Sequence, residues 1–87
     1  MDFEWDPIKA QANRRKHKVD FADVTGVFDD PLALTRAFAY PGELRYVTIG
    51  MDTLGQTVVV VYTWRDERIR LISARRATPR ERRAYEG

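Results

Sequence analysis

The chain has 87 residues, 44% of them hydrophobic and 32% charged, with no cysteine. That is enough for one domain with a modest core, and it excludes a disulfide framework and any cysteine-based zinc site. Net charge is only +2, but the 12 arginines and 3 lysines are unevenly placed, and arginine dominates from Arg65 to Arg83. No apolar run approaches the roughly 20 residues that span a bilayer; Val58-Val59-Val60-Val61 is far too short. The segment Met1-Asp2-Phe3-Glu4-Trp5-Asp6 is acidic and aromatic, unlike a signal peptide, so a soluble cytoplasmic protein is expected.

Phe3-Glu4-Trp5 is a candidate short strand that tucks two aromatics against a core. Asp6-Pro7 reads as a helix start, with Asp6 as cap and Pro7 at the first helical position. This helix should run to about Lys16, with a thin apolar stripe and a basic end that suits the helix dipole. A second helix should begin at Asp20, stapled by Val19 and Val24, with Phe21, Val24, Val27 and Phe28 on one face. Pro31 ends it near Asp29 or Asp30.

Four strands follow. Leu32, Leu34, Phe38 and Tyr40 alternate as in a half-buried strand, and Pro41-Gly42 turns the chain. Leu44 to Met51 is the second strand, and Thr57 to Trp64, apolar on both faces, reads as central. Arg68 to Arg75 is the last, after a tight Arg65-Asp66-Glu67 connection. Short connections favour an antiparallel meander. Thr78-Pro79-Arg80-Glu81 is a capping box that opens a C-terminal helix. The expected fold is α+β: two helices, about four antiparallel strands with the short N-terminal one as a candidate addition, then a helix. One sheet face should carry helices and the other should stay open.

His17 is the only histidine and stands in Arg15-Lys16-His17-Lys18. Histidine is the usual proton-transfer group near neutral pH, and the surrounding cations favour the neutral imidazole that can accept a proton. The plainer reading is a helix-end histidine bonded to nearby carbonyls. Arg65, Arg68, Arg70, Arg75 and Arg76 form the second group. Guanidinium groups bind phosphate oxygens two at a time, so a polyanion, nucleic acid first, is the natural partner. Alternation puts Arg68 and Arg70 on one face and, in a regular strand, Arg75 on the other. The plainer reading is a solvated sheet edge guarded against aggregation. Tyr85 lies three residues from Arg82 on the last helix and could be a core anchor, a stacking platform or a weak acid. Glu81 is expected to pair with its helical neighbours. No glycine-rich phosphate loop, metal-ligand spacing or serine elbow is present in the sequence, so an enzyme built on this chain is expected to be metal-free and non-covalent.

Phe3-Glu4-Trp5-Asp6, Asn13 with Lys16-His17, Val19, Phe21 and Val27-Phe28-Asp29-Asp30-Pro31 resemble the first half of the BrnT toxins. Arg45 to Gly50, Val60-Val61-Tyr62-Thr63, Arg68 to Ala77, Glu81 and Tyr85 resemble the second half. Ile72-Ser73-Ala74-Arg75-Arg76-Ala77 and Lys16-His17 carry most of the specificity. The resemblance spans the whole chain and implies a single toxin domain over residues 1–87 with a RelE-like ribonuclease fold. It further implies RNA cleavage, a halt to translation, and neutralisation by a BrnA-type antitoxin whose ribbon-helix-helix part would link the complex to operator DNA. One departure is visible: the family often has glycine after Lys-His, where this chain has Lys18, in the loop that follows His17. The implied site is His17 as base or acid, with Arg68, Arg75 and Arg76 on phosphate and Lys16 and Tyr85 in support; no cofactor is implied. The rival is a non-catalytic module that holds RNA or an acidic protein on the arginine surface.

Overall fold

A computed structural model describes residues 1–87. Strand β1 (Asp2–Glu4) leads into helix α1 (Pro7–His17), the single-turn helix α2 (Phe21–Val24) and a 3-10 turn over Thr25–Asp29. Strands β2 (Leu34–Tyr40), β3 (Glu43–Met51), β4 (Thr57–Arg65) and β5 (Arg68–Arg76) follow, and helix α3 (Pro79–Glu86) ends the chain. The sheet order is β1-β5-β4-β3-β2. The last four strands form the expected antiparallel meander. β1 is a fifth strand, parallel to β5, which makes the sheet mixed. The second helix is shorter than the pattern suggested: it relaxes into 3-10 geometry after Val24 and ends at Asp29, as Pro31 requires.

Alternation decides what each sheet face carries. Val58, Val60 and Tyr62 of β4 join Ile69, Leu71 and Ala74 of β5 beneath Val19, Phe21, Val24 and Val27. Aromatics close this layer: Phe28 meets Phe3 at 5.3 Å and Tyr62 at 4.9 Å between ring centroids, and Trp5 meets Phe21 edge-on at 6.0 Å. The 3-10 turn sits close to the β3–β4 hairpin; a side chain at Gly26 would meet the Thr53 backbone nitrogen at 2.9 Å.

Two expectations about the sheet are corrected. β2 is exposed along its whole length, because it is an edge strand with no layer over it; alternation alone could not distinguish it from a half-buried strand. The second concerns Arg75. Val61 pairs with Ser73, but Tyr62 pairs with Leu71, so Ile72 is an extra residue in β5. This bulge resets the alternation. Arg68, Arg70, Ser73 and Arg75 all lie opposite odd-numbered residues of β4, from Arg65 to Val59, and therefore share the open face, which α3 covers at its Arg75 end, where Glu81 and Ala84 line a cleft with Arg75 and the buried Val59. Arg76 pairs with Val58 and belongs to the helix face.

Candidate RNA-cleavage site

α1 is positioned by its two ends and by one buried side chain. The Asp6 carboxylate accepts from Ile8 N at 2.8 Å and caps the first turn. Arg14, Arg15, Lys16 and His17 occupy the last turn, and Lys18 closes it in the left-handed conformation at φ 61°. A glycine here would adopt this φ freely; Lys18 adopts it at a conformational cost. Asn13 is 8% exposed and spans two elements. Its Nδ2 donates to the carbonyls of Val19 at 3.2 Å and Ala74 at 2.9 Å, while its Oδ1 accepts from Ala74 N at 3.0 Å. The backbone of β5 is thereby bonded to the middle of α1.

The position of His17 follows. Asp6 and Lys9 border a cleft with Arg70, Leu71 and Ile72, and Asn13 is held at Ala74, so α1 and β5 run in the same direction. His17 lies one turn past Asn13, an advance of about 6 Å. Arg76 lies two residues past Ala74, an advance of about 6.6 Å on the same face. Lys16, His17 and Arg76 therefore lie toward the same end of the sheet. Lys16 and Arg76 are exposed and His17 is half-buried. Neither Lys16 nor Arg76 has a carboxylate partner.

The other sequence candidates lie elsewhere. Arg75 forms a two-pronged ion pair with Glu81, with Nη1–Oε1 at 2.7 Å and Nη2–Oε2 at 2.9 Å. The Arg75 guanidinium, with help from Thr78 N, holds the Glu81 carboxyl at about 2, and hydrogen bonding to Glu81 in turn raises the pKa of Arg75. Glu81 was expected to pair within its own helix. It reaches β5 instead, because the capping box aims its carboxylate back past Thr78, whose N–H donates to Oε1 at 2.9 Å. Arg68 sits at the other end of β5, roughly 20 Å from Arg75 at strand rise, too far to share one phosphate. Tyr85 donates to Asp30 Oδ2 at 2.5 Å and ties α3 to the turn before β2. This bond, then the Met51 N–H, lowers the Asp30 pKa, and the Asp30 carboxylate raises that of Tyr85. The six candidates thus divide into Lys16 and His17 at the end of α1, Arg76 at the end of β5, Arg75 with Glu81 on the open face, Tyr85 at Asp30, and Arg68 apart.

The open face also carries Arg36, Arg45, Arg65 and Arg70. Arg45 pairs with Glu43 at 2.7 Å and lies over the Tyr40 ring, and Arg70 pairs with Glu4 at 2.8 Å. Asn13 had entered only as part of a family pattern. Its role depends on a contact 61 residues away in the chain, which no local pattern reveals.

The sequence model for "ribonuclease toxin, BrnT, of type II toxin-antitoxin system" matches residues 5–81. The chain belongs to the BrnT family. The crystal structure of the Brucella abortus ribonuclease toxin BrnT superposes with a TM-score of 0.68 at 29% identity, covering 90% of this chain and 97% of that one. No curated protein matches the chain. Three helices with a five-stranded mixed sheet are thus a BrnT architecture, and the chain is a ribonuclease toxin of a type II toxin–antitoxin system, with an antitoxin partner and an RNA target. No helix is long and apolar enough to cross a membrane.

Proposed function

We propose that this BrnT chain is a metal-independent endoribonuclease whose reaction centre lies at the Lys16-His17 end of α1, beside Arg76. The observation that carries the reading is the three-bond anchor of Asn13 on Ala74 and Val19, which sets the end of α1 against the end of β5. RNA brings its own nucleophile. His17 takes the proton of a 2′-hydroxyl, or returns one to the leaving 5′-oxygen. The 2′-oxygen bonds to phosphorus as the bond to the 5′-oxygen breaks, leaving a 2′,3′-cyclic phosphate and a 5′-hydroxyl. Arg76 and Lys16 lie against the phosphate, where negative charge accumulates in the transition state. Arg75 and Tyr85 hold α3 in place through Glu81 and Asp30, and Arg68 meets RNA farther along the strand.

The rest of the reading follows the resemblance: a RelE-like toxin that stops translation in the cytoplasm, bound by a BrnA-type antitoxin that covers part of the arginine surface and reaches operator DNA through its own ribbon-helix-helix part. The test is cleavage of RNA by purified protein in excess chelator. Wild type should cut, while His17→Ala and Arg76→Ala should lose on the order of 10²-fold or more in rate, the usual contribution of one proton-transfer or charge-stabilising group. Wild-type rates in both variants overturn the site assignment. Binding without cutting by the wild type favours the non-catalytic module. Toxicity on expression, relieved by the neighbouring antitoxin, tests the cellular role.

A further inference from the structure

A second cationic site adjoins the first. A cleft of about 380 Å³ opens at the same end of the sheet, lined by Met51, Gly55, Gln56, Thr57, Arg76, Ala77, Arg82 and Glu86. Arg76 comes from β5 and Arg82 from α3, so two guanidinium groups from different elements border one space. Neither is engaged by a carboxylate; the ion pairs of the chain are made by Arg14, Arg45, Arg70 and Arg75. Gln56 and Thr57 add a neutral amide and a hydroxyl. The frame is held firmly. Ala77 N donates to Thr57 O at 2.9 Å, and the buried Asp52 accepts from Leu54 N and Gln56 N, each at 2.9 Å. Glu86 also lines the cleft, so its walls carry two positive charges and one negative. The surplus of one matches a phosphodiester, which carries a single negative charge.

We propose that this cleft is a subsite for an RNA phosphate next to the one that is cut, with Arg82 as its dedicated ligand. Arg76 lines the cleft and lies toward the same end of the sheet as His17; Arg82 reaches the cleft from α3. The subsite fixes the path of the strand: RNA leaving His17 passes Arg76 and crosses between the β3–β4 hairpin and α3. The inference rests on RNA being the substrate but not on His17 performing the chemistry.

The experiment measures binding of a 2′-O-methyl RNA hexamer, which lacks the nucleophile and cannot be cut, by fluorescence anisotropy across a salt series. Arg82→Gln should bind about fivefold more weakly at 0.1 M salt, and its log–log salt slope should be shallower by about 0.7, the value of one phosphate contact on a single strand. Arg82→Lys should keep the slope and lose part of the affinity, because the charge remains and the two-pronged geometry does not. Arg36→Gln, the same charge change on β2, should keep the wild-type slope. A wild-type slope in Arg82→Gln overturns the subsite. An equal loss in Arg36→Gln also overturns it, since the effect would then be net charge alone. Because the ligand is uncuttable, these results stand whether or not His17→Ala abolishes cleavage.

Discussion

The open sheet face and the end of α1 are both rich in cations, yet their charges are handled differently. On the open face Arg45, Arg70 and Arg75 each lie within 2.8 Å of a carboxylate, while Arg36, Arg65 and Arg68 have none. Lys16 at the end of α1 and Arg76 at the end of β5 have no such partner, and Arg82 across the cleft has none either. A guanidinium already held by a carboxylate at two points must surrender that bond before it binds phosphate, and the exchange returns little energy. An unpaired one gives up only water. Arginine count alone would favour the open face as the phosphate site. The pairing removes Arg45, Arg70 and Arg75 from that count and leaves Arg36, Arg65 and Arg68 on the open face, and Lys16, Arg76 and Arg82 at the other end, as cations without a carboxylate.

The comparison is broken most directly at Asn13. Asn13→Ala leaves the Ala74 N–H and C=O and the Val19 C=O without their buried partner, and should cost about 3 kcal/mol, since each stranded buried group costs about 1–3 kcal/mol and the site partly relaxes. Urea unfolding measures the loss. Cleavage at temperatures where the variant is still folded should fall as well, because His17 loses its fixed place. A variant as stable and as active as wild type would remove the anchor from the account.

A smaller effect tests the paired face. Glu81 titrates at about 2 in the folded protein against an ordinary value of 4.5. Its folded pKa is depressed, so its contribution is full above about pH 4.5 and is lost as pH falls toward 2. Glu81→Gln should therefore cost about 1 kcal/mol at pH 7, much less than the shift alone implies, because the Arg75 side chain is 42% exposed and the pair is screened. The variant's stability should also fall less steeply between pH 4.5 and 2, the window set by the two Glu81 values. Thermal melts from pH 7 to pH 2.5 follow both effects. An unchanged pH slope would mean that the pair contributes nothing to the fold.

The smallest effect sharpens the unpaired end. Lys18→Gly removes the left-handed strain at φ 61° and should stabilise the protein by about 0.5 kcal/mol, the relief of strain offset in part by the greater freedom of glycine when unfolded. A loss of stability on the same urea curves would mean that the Lys18 side chain supports the loop in a way that its backbone does not require.

Much of the fold was legible because its signals are local. Thr78 to Glu81 spelled a capping box that forms in full, Asp6-Pro7 opened α1, and the turns at Gly42 and Asp66-Glu67 helped to separate four strands that pair in chain order. The family was legible too, through Lys16-His17 and the run Ile72 to Ala77. β1 was only a candidate, since three residues gain strand character solely by lying beside β5. The bulge at Ile72 was invisible, because an inserted residue leaves no period of its own, yet it decides that Arg75 joins Arg68 and Arg70 while Arg76 faces the other side of the sheet. The sequence by itself determined which cations the chain carries and the family it belongs to. Only the tertiary structure decided which of them remain free to bind it, because a carboxylate partner such as Glu4 for Arg70 comes from the opposite end of the chain and is chosen by packing rather than by spacing.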